Sequence, residues 1–340
     1  MMIDPPSANI QISDKQKKYI ENIKELNFFK FSDVDACYAC GGNEFTIVAN
    51  KDRYGFDLNY CLCDKCSFLF ANPYYTADCL SEFYEKHYAF IYGMPGSERQ
   101  VFEAGYVNAV LKILPMLKPY MPKIGSVIDF GCGYGGALAS FPVSWSRVGY
   151  DYDESQLAFG RKFGLDLRNI NMLEVYDGLF DVIMLNQVLE HVPDPVSLLK
   201  KLKKYLKPNG VIYIEVPGFK SIIDGGIDPR LAFKNAHRHF FCLDSLCKVA
   251  DYSGLKFVHG DEGVSAIYSS MGSSTLNALD NNNFQKSVVW FNAILQFRPY
   301  LLSRRIDIFS RILNKIKRTL ILAKFKILLN LKKTFGCWQD

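Results

Sequence analysis

Short apolar runs alternate with stretches of helical periodicity over the middle of the chain. The strand candidates are VIDF, SRVGYD, FDVIMLNQV, GVIYIEVP, LKFVHGDE and VSAIYSS. Between the third and fourth of these, PVSLLKKLKKYLKPNG repeats Leu and Tyr at helical spacing. Pro195 suits its first turn, and Pro208 to Gly210 predict its end. This alternation predicts an α/β fold with a doubly wound, mostly parallel sheet.

Other patterns flank this region. Residues 13–30 predict a polar helix, and SEFYEKHY and RQVFEAGYVNAVLKILPMLKPY predict helices that lead into the first strand. We predict four parts, which are an N-terminal helical segment (1–35), a cysteine-rich module (36–75), the α/β domain (76–275) and a C-terminal helical tail (276–340). An apolar stripe predicts the tail helix, formed by Ile306, Phe309, Leu313, Ile316, Leu320, Ala323, Ile327 and Leu331.

Composition narrows the class of protein. Hydrophobic residues make up 49% of the 340 and charged residues 22%, which is typical of a globular chain rather than a disordered one. No apolar run reaches 18 residues, so we expect no membrane-spanning helix. The N-terminus has no apolar signal-peptide core, and ten cysteines then favour a reducing compartment. We expect a cytoplasmic protein.

The net charge is unevenly distributed. Residues 301–340 carry ten Lys and Arg against two Asp, a net +8, whereas the whole chain carries +5, so residues 1–300 carry −3. A nucleic-acid groove needs a basic stripe on the main domain, and this distribution disfavours one. The basic amphipathic tail suits peripheral contact with an anionic membrane surface. Packing of the tail on its own domain or on a second copy is the alternative.

Two C-x-x-C knuckles stand in the cysteine-rich module. They are CYAC at 37–40 and CDKC at 63–66, separated by 22 residues. Each presents two thiolates from one tight turn, and two such turns form the four-sulfur cage that structural zinc prefers. The predicted ligands are Cys37, Cys40, Cys63 and Cys66, with Cys61 as a competitor. Four reduced cysteines in a small core are the alternative, whereas a redox pair lacks the strand-helix unit that it needs.

A glycine-rich stretch, VIDFGCGYGGALASF, follows the first predicted strand and continues into a helix-like segment. Glycines there allow a ligand to approach the backbone closely. Gly131, Gly133 and Gly136 also match the spacing that holds a dinucleotide pyrophosphate. Asp151, 20 residues after Gly131, is placed to bind ribose hydroxyls, a feature shared by several nucleoside cofactors.

Two motifs identify a family. Asp-x-Gly-x-Gly-x-Gly at 129–135 resembles the first motif of class I S-adenosylmethionine (SAM) dependent methyltransferases, and FDVI...LEHVPDP resembles their fourth-strand signature. The resemblance implies a Rossmann-like sheet of seven strands. It also implies a set of SAM-binding residues, namely Asp129, Gly131, Gly133 and Gly135 at the glycine turn, Asp151 at the ribose, Met172 or Leu173 at the adenine, and Asn186 and Gln187 near the methionine part. Asn171 stands where the family often carries an acid.

The segment after the second knuckle indicates a substrate class. CSFLFANPYYTADCLSEFYEKHY resembles a module that precedes the catalytic domain in many bacterial methyltransferases of sugars and other small metabolites, often from polysaccharide or antibiotic pathways. The resemblance implies structural zinc and a sugar, nucleotide-sugar or glycan acceptor. Sugar C-methyltransferases of this type usually continue with a second α/β domain. This chain is too short for one, so we expect an oxygen acceptor.

Histidines supply the candidate bases for a hydroxyl acceptor, because imidazole titrates near neutrality. His191 lies in LEHVPDP, where packing or capping of the next helix is the alternative role. His237 and His239 alternate in HRHFFCLDSL, and His239 is the predicted base, unless it only fixes the loop. We expect no metal site on these two histidines, because no third ligand is near them in the sequence.

The expected function is direct in-line methyl transfer from SAM to an oxygen of a sugar or glycan intermediate. An RNA or small-metabolite methyltransferase and a non-catalytic SAM-binding scaffold are the alternatives. An NAD oxidoreductase is a weaker one.

Overall fold

The computed structural model describes residues 12–26, 28–93, 96–218, 229–261, 263–271, 319 and 322–323. Its helices are α1 (Asp14–Glu25), α2 (Ala77–Glu82), α3 (Tyr88–Tyr92), α4 (Glu98–Asn108), α5 (Leu114–Leu117), α6 (Glu154–Arg161), α7 (Pro195–Tyr205) and α8 (Leu243–Tyr252). Its strands are β1 (Phe31–Ser32), β2 (Phe45–Lys51), β3 (Asp57–Cys63), β4 (Leu69–Ala71), β5 (Tyr74–Tyr75), β6 (Ser126–Phe130), β7 (Ser146–Asp151), β8 (Asp166–Asn169), β9 (Phe180–Asn186), β10 (Leu206–Glu215), β11 (His239–Phe240), β12 (Lys256–Gly260) and β13 (Ser265–Ser269). The predicted tail falls almost entirely outside the described residues.

The seven-stranded sheet has the strand order β12-β13-β10-β9-β6-β7-β8. The pairs β10–β9, β6–β7 and β7–β8 are parallel, whereas β13 runs antiparallel to both β10 and β12. Four consecutive residues of β9, from Val182 to Leu185, are fully buried. A run without polar alternation is expected of a strand covered on both faces. The predicted mostly parallel, doubly wound sheet is confirmed.

Local capping fixes where the helices start and end. Ser13 accepts a hydrogen bond from the Gln16 amide in a capping box, and α1 ends at Glu25, short of the predicted limit at residue 30. Asp194 caps α7, whose first residue is Pro195 as predicted. The helix ends at Tyr205, before Pro208, because a proline disfavours helical geometry at the residue that precedes it.

The segment after the glycine turn differs from the sequence prediction. In place of the helix-like segment, residues Leu138–Ser140 form a single 3-10 turn. Phe141 then takes an extended conformation, and Pro142 follows it. The proline restricts the residue before it to extended geometry, so the turn has no room to lengthen into a helix.

By its internal contacts the chain divides into two compact units. The first lies within Met1–Met94 and Glu174–Leu302, and the second within Pro95–Leu173 and Ser303–Asp340. These units follow internal contacts and do not test the domain boundaries given above, which stay a prediction. Among the described residues, no helix is both long and apolar enough to cross a bilayer.

The first unit contains a four-stranded antiparallel sheet of order β11-β4-β3-β2. Its outer strand β11 comes from residues far along the chain, and pairs His239 with Phe70 and Phe240 with Leu69. Buried aromatic side chains support this sheet, among them Tyr60, Tyr74 and Phe233. The HRHFF segment is therefore part of the cysteine-rich module in space.

Candidate functional site

The glycine turn follows β6 in the second unit. Gly131, Gly133 and Gly135 have φ angles of 69°, 52° and 78°. Residues with side chains rarely adopt this left-handed region, so the turn requires glycine. The amides of Gly131 and Cys132 donate to the Tyr150 carbonyl at 2.8 and 3.2 Å, which fastens the turn to β7.

The glycines of this turn serve different purposes. A side chain at Gly136 would come within 2.1 Å of the Phe102 carbonyl oxygen, and one at Gly135 within 2.8 Å of Leu165. Both positions are closed by protein. At Gly133, among the described atoms, a side chain would meet the end of Gln156 at 3.0 Å. Close approach of a ligand to the backbone is thus best supported at Gly133, and cofactor contact at Gly135 stays a prediction.

Asp151 joins the end of β7 to the glycine turn. Its Oδ2 accepts from the Gly133 amide at 2.8 Å, and its Oδ1 accepts from the Asp153 amide at 3.0 Å. Burial raises the pKa of Asp151 above its usual value. A carboxylate has room for about four hydrogen bonds, so further acceptor capacity remains for hydroxyl groups.

Asp129, at the end of β6, is a buried acid. It is 2% exposed, and its Oδ1 has no hydrogen-bond partner among the described residues. Burial, and secondarily the charge of Asp151, raise the pKa of Asp129 to about 8. An unsatisfied buried oxygen is costly, and a ligand donor would satisfy it.

Two large side chains are exposed near the ends of β7 and β8. Met172, predicted beside the adenine, is 68% exposed in a 3-10 turn, and Tyr152 is 62% exposed directly after Asp151. Tyr152 was not among the residues predicted from the sequence. Its position next to the acid at a strand end is the signal that identifies it. The backbone amide of Asn171 donates to the Asn169 Oδ1 at 3.0 Å.

These features fit a nucleoside cofactor such as SAM. An open glycine backbone, a carboxylate with free acceptor capacity, an unsatisfied buried acid and exposed apolar side chains all occur in this unit. Asn186 and Gln187 belong to the other unit, at the end of β9. Gln187 is exposed and has a φ of 58°, and its backbone amide donates to the Glu215 backbone carbonyl at 2.7 Å. Their contact with the methionine part of SAM stays a prediction.

The four knuckle cysteines lie together in the first unit. The Sγ atoms of Cys37 and Cys66 are 3.6 Å apart, as are those of Cys40 and Cys63, and all four lie within 4.8 Å. Four ligands at about 2.3 Å from a tetrahedral zinc are about 3.8 Å from one another. Hydrogen bonds from Cys37 and Cys66 lower the pKa of the Cys63 thiol. Cys61 bonds to the Asn72 carbonyl instead and is not part of the cluster.

A second cluster in this unit combines Glu190, His191 and His237. One oxygen or nitrogen atom of each lies within 4.8 Å of the others. Burial lowers the pKa of His191 to about 4 and raises that of Glu190 to about 8. Asp194, not His191, caps the following helix. The sequence suggested His237 together with His239, and Glu190 was missed because only folding brings His237 to the adjacent pair Glu190 and His191.

His239, the predicted base, lies elsewhere in the unit. It is 1% exposed, its Nε2 bonds to the Val192 carbonyl at 3.0 Å, and its ring stacks on Phe68. Burial lowers its pKa to about 3, which makes it a weak base at neutral pH. The structure thus separates His237 and His239, and the catalytic role of either His191 or His239 stays a prediction.

Comparison with known proteins supports the cofactor assignment. Residues 99–259 match the family model described as a methyltransferase domain. Over these residues the chain is similar to a methyltransferase domain. It has the seven-stranded Rossmann-like fold that the motifs predict for this class.

Several relatives share this domain. The chain is 36% identical over 100 residues to a ubiquinone biosynthesis O-methyltransferase of Pseudomonas paraeruginosa, covering 26% of this chain and 43% of that one. The protein of the same name from Pasteurella multocida is 36% identical over 107 residues, covering 26% and 44%. The chain spans less than half the length of these curated relatives. A solved structure of a SAM-dependent methyltransferase, possible histamine N-methyltransferase, from Thermotoga maritima has 19% identity and a TM-score of 0.39, covering 51% and 95%.

Proposed function

We propose that this protein is a SAM-dependent methyltransferase that transfers a methyl group to an oxygen of a sugar or glycan intermediate. The observation that carries this proposal is the Asp151 carboxylate bonded to the Gly133 amide within the methyltransferase domain. This link holds a ribose-binding acid beside an open glycine backbone. Such a pairing is what a nucleoside cofactor with an amino-acid tail requires.

SAM carries a methyl group already activated on a sulfonium, so the protein mainly supplies binding and orientation. In the proposal Asp151 accepts the ribose hydroxyls, and Tyr152 and Met172 flank the adenine. Asp129 and the backbone at Gly131 and Gly133 meet the amino-acid part. The Gly131 and Gly133 amides already bond to the Tyr150 carbonyl and to Asp151, so the turn is held in shape before the cofactor binds.

An oxygen acceptor is supported by the relatives, which are named O-methyltransferases. The sugar or glycan assignment rests on the cysteine-rich module. The relatives favour a second candidate acceptor, a hydroxyl of an intermediate in ubiquinone biosynthesis. RNA is disfavoured, because residues 1–300 carry a net charge of −3.

Burial lowers the pKa of both candidate bases, to about 4 for His191 and about 3 for His239, and removal of the hydroxyl proton is assigned to His191 because it is the more accessible of the two. The His191 side chain is 19% exposed, whereas His239 is 1% exposed and holds the Val192 carbonyl. The His191 Nδ1 is 2.8 Å from the Ala236 carbonyl. Donation of that N–H leaves the Nε2 lone pair available to a substrate proton.

A structural zinc ion is proposed for Cys37, Cys40, Cys63 and Cys66. Four sulfurs close the coordination shell, so this ion stabilises the module and takes no part in the reaction. The proposed location is the cytoplasm, with the basic tail on the inner membrane face. Such a location would suit a lipid-linked glycan acceptor.

The test combines binding and transfer. S-adenosylhomocysteine binding is measured by calorimetry on the full chain, with Asp151→Asn and the exposed control Asp166→Asn on β8. We expect Asp151→Asn to weaken binding about 10- to 100-fold and Asp166→Asn to leave it unchanged. No binding by the unchanged protein would refute the methyltransferase proposal.

Transfer of tritiated methyl from SAM is then followed into nucleotide-sugar, glycolipid, small-metabolite, quinone and RNA fractions. Label in the sugar fractions supports the proposal. Label in quinones or RNA reassigns the acceptor. Binding without transfer to any fraction favours a scaffold.

A further inference from the structure

The cluster of Glu190, His191 and His237 has the ligands of a metal site. Their candidate ligand atoms all lie within 4.8 Å of one another, and the Glu190 Oε1 is 3.6 Å from the His191 Nε2. The two imidazole rings meet edge to face with centroids 4.8 Å apart. Small side-chain movements bring three such atoms onto one ion, because bonds of about 2.0–2.2 Å place ligands about 3.3 Å apart.

Glu190 supplies an independent sign that a ligand belongs here. Its side chain is 1% exposed, and neither of its carboxylate oxygens has a hydrogen-bond partner among the described residues. Burial of an unpaired carboxylate is costly unless a proton or a cation compensates it. Lys234 lies near enough to act on the Glu190 charge but makes no hydrogen bond to it. The Glu190 carboxylate therefore has acceptor capacity available to an ion.

The histidine geometry suits metal binding. The His191 Nδ1 lies 2.8 Å from the Ala236 carbonyl oxygen and 2.7 Å from the Tyr84 hydroxyl. A metal-binding histidine commonly donates its second ring N–H to such a carbonyl, which fixes the tautomer. This arrangement leaves the Nε2 of His191, the atom nearest Glu190, as the unprotonated nitrogen.

Backbone hydrogen bonds hold the two halves of the cluster together. The Glu190 carbonyl accepts from the Arg238 amide at 2.8 Å and from the His239 amide at 3.1 Å. These bonds connect the loop after β9 to the segment that enters β11, and they place His237 beside His191. The cluster is thus preorganised by main-chain contacts rather than by its own side chains.

We propose that Glu190, His191 and His237 form a second metal site that binds a divalent first-row transition ion such as Zn²⁺. Two imidazoles and one carboxylate are a ligand set that these ions favour. Three protein ligands leave a coordination position for water or for a hydroxyl group, unlike the four-sulfur cluster. This inference does not depend on methyl transfer. A metal on the His191 Nε2 would replace the base role assigned to that atom above.

The test measures metal content of the full chain. The protein is equilibrated with Zn²⁺, freed of unbound ion, and analysed by mass spectrometry of the metal, alongside Glu190→Gln, His237→Asn and the control His259→Asn. His259 is an exposed histidine on β12, outside the cluster. We expect both cluster variants to bind one equivalent less than the unchanged protein, and His259→Asn to bind the same amount.

Co²⁺ distinguishes the two sites, because thiolate ligands give intense charge-transfer bands and nitrogen and oxygen ligands do not. The cluster variants should lose the weaker visible absorption that comes from Co²⁺ bound to nitrogen and oxygen. The charge-transfer bands of the cysteine site should stay. Circular dichroism melts confirm that the variants are folded, and Glu190→Gln keeps the size of the side chain. Equal metal content in the unchanged protein and in both folded cluster variants would overturn the proposal. A loss confined to His259→Asn would do the same. Because the readout is bound metal, a failed methyl-transfer assay leaves it unaffected.

Discussion

The cysteine cluster and the histidine cluster of the first unit are built in opposite ways. Each pair of cysteines comes from one tight turn, and each turn is closed by its own backbone bonds, such as the Gly41 amide to the Cys37 carbonyl at 2.8 Å. Glu190 and His191 are adjacent, but His237 comes from a distant segment. The first arrangement is visible in the spacing of the sequence, whereas the second arises from folding.

The two clusters also differ in what they leave unsatisfied. The thiols contact one another in pairs, so the cysteine cluster is internally bonded. Glu190 has two buried carboxylate oxygens that find no hydrogen-bond partner in the part of the chain that the structure describes. A closed shell of four sulfurs stabilises a fold, whereas three nitrogen and oxygen ligands keep a position open. The difference predicts a stabilising role for the first cluster and a ligand-binding role for the second.

The largest expected effect is the loss of the cysteine centre. Cys63→Ser should remove one metal equivalent and lower the melting temperature by about 5–10 °C, because binding at a structural zinc site contributes directly to folding. Differential scanning calorimetry and metal analysis measure both. Cys61→Ser, on the same strand and outside the cluster, is the matched control and should keep its metal. An equal fall of the melting temperature in both variants would show that the stability depends on burial of the cysteine side chains and not on the metal.

A smaller effect is expected at Tyr84, whose hydroxyl contacts a histidine of the second cluster. Tyr84→Phe removes a hydroxyl 2.7 Å from the His191 Nδ1 and leaves the Ala236 carbonyl in place. We expect Zn²⁺ affinity at this cluster to fall about 10-fold, at the lower end for such supporting residues. Competition with a chelator measures it. The cysteine centre serves as the internal reference, and a parallel fall there would contradict a local effect.

The smallest expected effect is at Asp129, and it tests what burial of an acid does without a metal site. Asp129 is, like Glu190, a buried acid with a pKa raised to about 8. The folded protein keeps a proton on Asp129 that the unfolded chain releases above its ordinary pKa near 4. Stability from this group is therefore present at pH 4 and is lost as the pH rises to about 8.

Asp129→Asn removes this dependence. We expect the melting temperature of the variant, relative to the unchanged protein, to rise by a few degrees between pH 5 and pH 8, because only the unchanged protein loses stability over that range. Added Zn²⁺ should not alter the difference, because none of the candidate metal-binding groups among the described residues includes Asp129. A difference that is constant with pH would mean that Asp129 is ionised when folded.

Local patterns predicted much of the fold. The six strand candidates correspond to β6, β7, β9, β10, β12 and β13, since each is a short apolar run between polar turns. The prediction of a helix-like segment after the glycine turn was wrong. Pro142 favours an extended Phe141, and the chain forms only a 3-10 turn before it. Periodicity alone did not show this, although the proline was visible.

The candidate site was predicted in part. Gly133 and Asp151 were selected from spacing, and the structure joins them by a hydrogen bond. Tyr152 was missed because an exposed aromatic has no motif. His239 was selected as a base from the motif context of HRHFFCLDSL. In the structure His239 is instead buried in β11, where it pairs with Phe70 of β4. Burial there lowers its pKa and makes it a weak base.

The sequence by itself determined whatever depends on neighbours along the chain. It indicated the strands, the capped helices, the two cysteine knuckles and the glycine turn with its acid, because spacing within a turn or strand fixes their geometry. Only the tertiary structure decided which distant segments meet. The Glu190 carbonyl binds the amides of Arg238 and His239, and so brings Glu190, His191 and His237 together. Contacts of this kind depend on sheet pairing and burial between remote residues, which no local pattern records.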